Sequence, residues 1–367
     1  MRIALDARLW GAPRSGIGRY TRALLEALVE LAPDYAWVAY LDRPPGHGLP
    51  PGVQARVLPW PQRLVWTLWA AARDLPRHPV DVFHGVTGFE LPPTRACRLV
   101  TTVHDLIPLR FPRLVPWRHR WAVRLLLGSA LRRAARVITD STATQAELLE
   151  RYRLPPAKVQ VVRLAPGPRR DPPGAAERAR VRARYALRGP YVLFVGLLEP
   201  KKNLPVLLRA VARLRAEDAW GTTQLALAGA PGWGPLDVRA ETARLGLDDV
   251  VRLLGPVPDA DLPALYAEAT VFVFPSLWEG FGLPVLEAMA AGTPVVAARR
   301  GALPEIADGA ALLVEPEVAP LAAALATVLA DAGLRERLRA AGLARAQTFS
   351  WQQVARETLA VYRAAVE

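Results

Sequence analysis

Cysteine is nearly missing from this chain. Cys97 is the only one in 367 residues, which excludes an internal disulfide framework and any cysteine-built zinc or iron–sulfur site. Long apolar runs are missing too. The longest, Val318 to Ala330, contains Pro320, lies between Glu317 and Asp331, and falls short of a membrane span. At the start, Asp6 and Arg8 interrupt Met1-Arg2-Ile3-Ala4-Leu5 before an apolar stretch of signal-peptide length can form. The expectation is a cytoplasmic protein, with peripheral contact at the inner face of the cell membrane left open. Lysine is scarce: Lys158, Lys201 and Lys202 stand against 44 arginines, and Asn203 is the only asparagine. No serine nucleophile elbow and no His/carboxylate metal spacing occurs. The glycines at 11, 16 and 18 spell neither a dinucleotide fingerprint nor a P-loop.

What is present is globular. At 51% hydrophobic and 22% charged residues the chain can bury a core, and its length suits two domains. The net charge of +13 is uneven. Residues 1–170 carry 26 basic and 12 acidic residues, a net +14, while residues 171–367 carry 21 and 22, a net −1. Arg110 to Arg136 holds eight arginines and no acid. The segment Trp117–Arg136 reads as a partly buried helix with snorkelling arginines rather than a membrane-seeking one. Five of the eleven tryptophans (Trp60, Trp66, Trp69, Trp117, Trp121) fall in two first-half helical stretches, where packing is the expectation for most. Arginine dominance reflects composition bias. Against that bias, Lys201-Lys202-Asn203 marks a local demand for a compact point charge.

Short apolar runs alternate with helical stretches, the signature of parallel α/β sheets covered on both faces. Strands are expected at Ile3–Leu5, Trp37–Leu41, Val53–Leu58, Val80–His84, Leu99–His104, Val137–Thr139 and Val159–Leu164. Helices are expected at about Arg19–Leu31, Arg63–Leu75, Trp117–Ala135 and Ser141–Tyr152. Proline and glycine between Ala165 and Gly174 mark an interdomain linker, spanning about 165–187. A second series follows, with strands at Tyr191–Val195, Leu225–Ala228, Val250–Leu253, Val271–Phe274 and Pro294–Ala297. Its helices are Leu204–Leu214, N-capped by Asn203, then Pro284–Ala291, Leu321–Leu329 and Trp351–Ala365. The expected architecture is two doubly wound domains, 1–170 and 171–349, with a terminal helix in 350–367 packing back toward the first. Ligands of such sheets bind beyond the strands' carboxyl ends.

The densest signal runs from Pro275 to Pro294. A strand enters a glycine-containing turn and then a helix, with Pro284 at its start. Unpaired N–H groups at that start, approached closely past Gly280 and Gly282, form an anion site suited to phosphate. On a continuous helix Glu279 and Glu287 would stand about 12 Å apart, too far for a hydrolytic acid/base pair, although the turn lets Glu279 swing independently. Each instead suits a different part of one extended ligand, Glu279 taking sugar hydroxyls and Glu287 a ribose.

Ser276-Leu-Trp-Glu-Gly-Phe-Gly-Leu-Pro-Val-Leu-Glu-Ala-Met-Ala-Ala-Gly-Thr-Pro294 resembles the Glu-x7-Glu signature of family-4 retaining glycosyltransferases of GT-B fold. Asp6-Ala-Arg, Gly16-Ile-Gly-Arg-Tyr-Thr, Val103-His-Asp-Leu, Gly196-Leu-Leu-Glu-Pro-Lys-Lys-Asn203, Gly255-Pro-Val-Pro-Asp-Ala-Asp-Leu262 and Leu303-Pro-Glu follow the family's order. The pattern is closest to the polysaccharide-building, mannosyltransferase-like branch. The resemblance implies a nucleotide-diphosphate sugar held by the second domain and a saccharide or lipid-linked acceptor, anionic in one version, held by the first. It implies that Gly280, Phe281, Gly282 and Leu283 meet sugar and diphosphate through main-chain N–H groups. Glu279 would orient the sugar, Glu287 hold the ribose and Lys202 neutralise the leaving diphosphate. Val257 would meet the base, Gly16 close over the diphosphate, and His104 sit beside the transferred sugar. Arg19 and Asp105 are further first-domain candidates. Leu197 departs from the family, where an arginine often stands, and Lys201 or a first-domain arginine is the candidate substitute. No metal or other cofactor is expected. A GT-B nucleotide-sugar 2-epimerase and, further off, a basic nucleic-acid-binding protein are the alternatives.

Overall fold

The computed structural model describes all residues except 12–15, 47, 61, 168–171 and 235. Parts of the glycine-rich loop at 11–18 and of the proline-rich linker therefore lie outside the described residues. The chain divides into two compact units. The first comprises 1–112, 117–165 and 350–367; the second comprises 113–116 and 166–349.

The first unit is built on seven parallel strands: β1 (Arg2–Asp6), β2 (Ala36–Leu41), β3 (Val53–Val57), β4 (Val82–Gly85), β5 (Arg98–Val103), β6 (Arg136–Thr139) and β7 (Val159–Val161). Their order is β3-β2-β1-β4-β5-β6-β7. The inner strands are apolar and buried because helices cover both faces. The helix Gly16–Leu31 packs against the terminal helix Trp351–Val366 on one face. On the other, Trp66, Ala71, Val123, Leu127 and Ala130 close a single core with Phe83 and Val137.

The second unit has six parallel strands: β8 (Tyr191–Val195), β9 (Gln224–Ala228), β10 (Val251–Gly255), β11 (Val271–Phe274), β12 (Val295–Ala298) and β13 (Leu312–Val314), in the order β10-β9-β8-β11-β12-β13. Phe194, Phe272 and Phe274 stack at its centre. In both sheets the strand order reverses once, between β1 and β4 and between β8 and β11, and such reversals open crevices at the carboxyl ends.

Three readings of the sequence need correction. The linker region contains the helix Ala175–Arg184. Its Val181 is buried, and Arg180 and Arg184 pair with Asp261. Asn203 precedes the helix Leu204–Ala216 but adopts a left-handed conformation, and its side chain caps nothing. It donates instead to the Pro316 carbonyl at 2.9 Å. Of the five tryptophans assigned mainly to packing, only Trp66 is buried; Trp60, Trp69, Trp117 and Trp121 are exposed.

Candidate functional site

The second unit's site starts from the reversal between β8 and β11. After β8 the chain turns through Gly196 and Leu197 into a short helical turn, Pro200–Lys202. After β11 it forms the loop Pro275–Gly282 and enters the helix Leu283–Ala290. Leu277 N–H donates to the Lys201 carbonyl at 2.9 Å, tying the two segments together. Across that tie Lys202 Nζ donates to Glu279 Oε1 at 2.6 Å, each side chain only 9% exposed. The ammonium also lies 4.6 Å from the Phe274 ring centre, a cation–π contact. Burial pulls the Lys202 pKa below its ordinary value, with the Glu279 charge opposing. Burial pushes Glu279 the other way, but the two lysines outweigh it and hold the carboxyl below its usual range. The pair is a salt bridge.

Two glycines shape this loop. Gly282, at φ +106°, precedes the helix, and a Cβ there would lie 2.6 Å from Leu303 Cδ2. Gly301, at φ +58°, lets the following loop run against Glu279; a Cβ would lie 2.4 Å from the Glu279 carbonyl oxygen. Ala302 N–H donates to that same oxygen at 3.0 Å. No side chain caps the start of the helix Leu283–Ala290, Pro284 carries no N–H, and Val285 and Leu286 N–H donate to the Gly282 carbonyl at 3.0 and 3.4 Å, which leaves the Leu283 N–H without an intrahelical partner. Phe281 is buried against the Phe349 ring. Glu287, within the helix, accepts from Tyr266 Oη at 2.9 Å. Val257 follows β10, half-buried, at the same carboxyl edge.

Lys201 lies 3.5 Å from Glu199, whose carboxylate is buried and lifted by that burial above its ordinary pKa. Leu197, where the family often has arginine, is 42% exposed.

The first unit places its candidates separately. Gly16 is exposed at the first position of its helix, and Arg19 lies one turn on, half-buried. Asp105 accepts from Ile107 N–H at 3.0 Å and so fixes the turn after β5. His104 follows β5 with both ring nitrogens occupied. Nδ1 is 2.6 Å from Asp140 Oδ2 and Nε2 is 3.0 Å from the Val86 carbonyl. Nε2–H donates to the carbonyl, and a proton on Nδ1 faces Asp140, whose carboxyl burial lifts above its ordinary pKa with the His104 charge opposing. Burial opposes that charge, but Asp140 and the carbonyl outweigh it and raise the His104 pKa above its ordinary value. Tyr20 meets the ring edge-on at 4.9 Å. His84 is its opposite: fully buried, bonded to Tyr362 Oη at 2.7 Å and Thr102 Oγ1 at 2.8 Å, and held neutral.

With this geometry in view, the comparisons are direct. A family model described as "Glycosyltransferase Family 4" matches residues 14–165, and one described as "Glycosyl transferases group 1" matches 189–331. O-antigen chain mannosyltransferase B of Escherichia coli is 33% identical over 378 residues, covering 96% of each chain. The chain belongs to the family-4 glycosyltransferases. Two solved structures share its GT-B fold. WaaG, a glycosyltransferase involved in lipopolysaccharide biosynthesis, superposes with TM-score 0.77 at 18% identity, over 98% of this chain and 99% of that one. Anabaena Alr3699/HepE in complex with UDP-glucose does so with TM-score 0.74 at 21% identity, again over 98% and 99%.

In this glycosyltransferase the structure brings Lys202, Glu279 and Gly280–Leu283 together at one crevice. Sequence reasoning missed Asp140 and Glu199. Neither has a motif of its own. Asp140 reaches His104 only because β5 and β6 are neighbours, and Glu199 was visible only as a member of the lysine segment.

Proposed function

We propose that the protein is a retaining hexosyltransferase that moves a mannose- or glucose-type sugar from a nucleotide-diphosphate donor to a saccharide or lipid-linked acceptor in polysaccharide or cell-envelope glycan synthesis. The Lys202–Glu279 pair beside the uncapped start of the helix Leu283–Ala290 carries this reading. A buried ammonium beside a helix N-terminus suits a departing diphosphate. The relatives support the wider role: the E. coli protein is an O-antigen mannosyltransferase, and the Anabaena structure holds UDP-glucose.

In the proposed reaction the sugar C1–O bond to the diphosphate breaks while the acceptor oxygen bonds C1 on the same face. The acceptor's proton passes to the departing phosphate oxygen. Lys202, with Lys201 beside it, and the helix N–H groups stabilise the charge that develops there. Glu279, anchored by Lys202, accepts from sugar hydroxyls; Glu287 takes the ribose, and the loop at Val257 takes the base. From the first unit, His104 serves the transferred sugar, Gly16 closes over the diphosphate, and Arg19 and Asp105 stand on the acceptor side. Lysine and helix dipole supply the positive charge, so transfer proceeds without a metal.

A thermal-shift panel of nucleotide sugars tests the donor class. A ligand at 100 times its dissociation constant adds about 2.7 kcal/mol of stability. A shift with one nucleotide's sugars, and slow hydrolysis without sugar scrambling when donor is given alone, supports transfer. Scrambling of the donor sugar at C2 identifies an epimerase instead.

A further inference from the structure

The first unit exposes a surface that donor chemistry does not use. Crossovers from β3 to β4 and from β5 to β6 run the same way across the sheet, and right-handed connections put both on one face. The first crossover carries a helix of three continuous parts: Arg63–Val65, a π-helical stretch Trp66–Ala71, and Ala72–Asp74. The second carries the helix Trp117–Arg133. Both send residues into the same core. Both reach the Phe89–Glu90 turn, where Arg63 pairs with Glu90 at 3.1 Å and the His119 ring lies 5.8 Å from Phe89.

Their outward faces carry large apolar side chains where a surface helix is ordinarily polar. Leu68 and Trp69 project from the first helix, and Trp60 packs edge-on against Trp69 at 4.9 Å. On the second, Trp117, Trp121 and Leu125 form one stripe at four-residue spacing, exposed by 63%, 45% and 69%. Arginines frame these rings. Arg73 lies over Trp69, Arg118 over Trp117, and both Arg120 and Arg124 over Trp121, all between 5.3 and 5.8 Å. Among them Arg73, Arg118 and Arg124 keep exposed side chains.

We propose that this two-helix face docks on an anionic lipid bilayer, tryptophan and leucine entering the headgroup boundary and arginine meeting lipid phosphates. Indole rings are amphipathic and suit that boundary, and arginine spreads its stem over apolar surface while its head stays among polar groups. Charge chooses this occupant. Arg110 to Arg136 has eight arginines and no acid, in a half with net +14, so a second copy of the same face would meet like charge. The inference does not rest on the transferase reading, because bilayer binding is measured without donor or acceptor.

Flotation of the full chain with phosphatidylcholine vesicles, with and without about a third phosphatidylglycerol, tests it. The account expects binding that needs the anionic lipid and weakens as salt rises. Neutralising Arg118, Arg120 and Arg124 together to Gln should lower partitioning by about a hundredfold, at roughly fivefold or more for each charge near the surface. Trp117→Ala with Trp121→Ala should lower it without changing the melting temperature. Arg213→Gln, exposed on the second unit and paired with Glu217, should leave binding intact and controls for bulk charge. Binding indifferent to anionic lipid overturns the proposal. So does binding unaffected by the arginine and tryptophan variants, or a solution dimer that those tryptophan changes dissociate.

Discussion

Replacing Glu279 by Gln removes one charge from a buried pair and keeps its shape. At 2.6 Å two unit charges attract by about 6 kcal/mol at an effective dielectric of 20. Desolvation offsets part of this, and breaking a buried pair by removing one partner costs about 3–5 kcal/mol. Glu199, whose charge also favours the Lys202 ammonium, softens the loss, so the expected cost is about 3 kcal/mol. For a unit of this size that lowers the melting temperature by roughly 6–12 °C. Calorimetry on wild type, Glu279→Gln, Lys202→Met and the double variant gives the comparison. The double variant should be less destabilised than the sum of the singles, because no buried charge is left alone. A second consequence is chemical. Burial already depresses the Lys202 pKa and Glu279 resists, so the variant should lose its ammonium, and with it turnover, at lower pH than wild type. Additive single effects, or a Glu279→Gln melting temperature within a degree of wild type, would refute the coupling.

Three further outcomes follow from the same geometry. His84 is held neutral by burial, its pKa lowered to about 3, whereas the unfolded chain binds its proton near pH 6.5. Stability therefore falls as pH drops from 6.5 toward 3, by about 2 kcal/mol at pH 5, and a His84→Gln variant with an equally steep fall in melting temperature would contradict this. Asp140→Asn removes the charge that keeps His104 protonated, so activity should be lost at lower pH than in wild type. Once the pH exceeds the variant's lowered pKa, the imidazolium fraction falls about tenfold per pH step of one, and unchanged pH–rate profiles count against the pairing. Gly301→Ala places a methyl against the Glu279 backbone in a left-handed conformation. It should cost about 1–3 kcal/mol and lower kcat for donor turnover, and activity at the wild-type level would show that the Glu279 loop tolerates displacement.

The fold was legible where elements are buried through. Tyr191–Val195 and Val271–Phe274 are unbroken apolar runs, and the structure has strands with those limits. Shorter or more polar elements were not. β13 is three residues long and half-buried, and the helix Ala332–Ala346 is arginine-rich with little apolar contrast. Proline and glycine at 166–174 masked the helix at 175–184, because a linker and a helix approach share that punctuation. At the site, lysine's rarity pointed to Lys202 and the glycine-rich turn to Glu279. Their bond spans 77 positions and follows from strand order. The tryptophans show the other limit: composition reveals an aromatic cluster, while orientation decides between core and surface, and the π-helical stretch buries Trp66 while exposing Trp69.

The central claim is that Lys202 carries the charge of the departing diphosphate. Steady-state release of nucleoside diphosphate from the preferred donor, by wild type and by Lys202→Ala shown to be folded, tests it most directly. Loss of one preorganised group that stabilises developing charge costs about 10²–10³ in kcat, and that is the expected fall. Turnover within a few-fold of wild type would contradict the account.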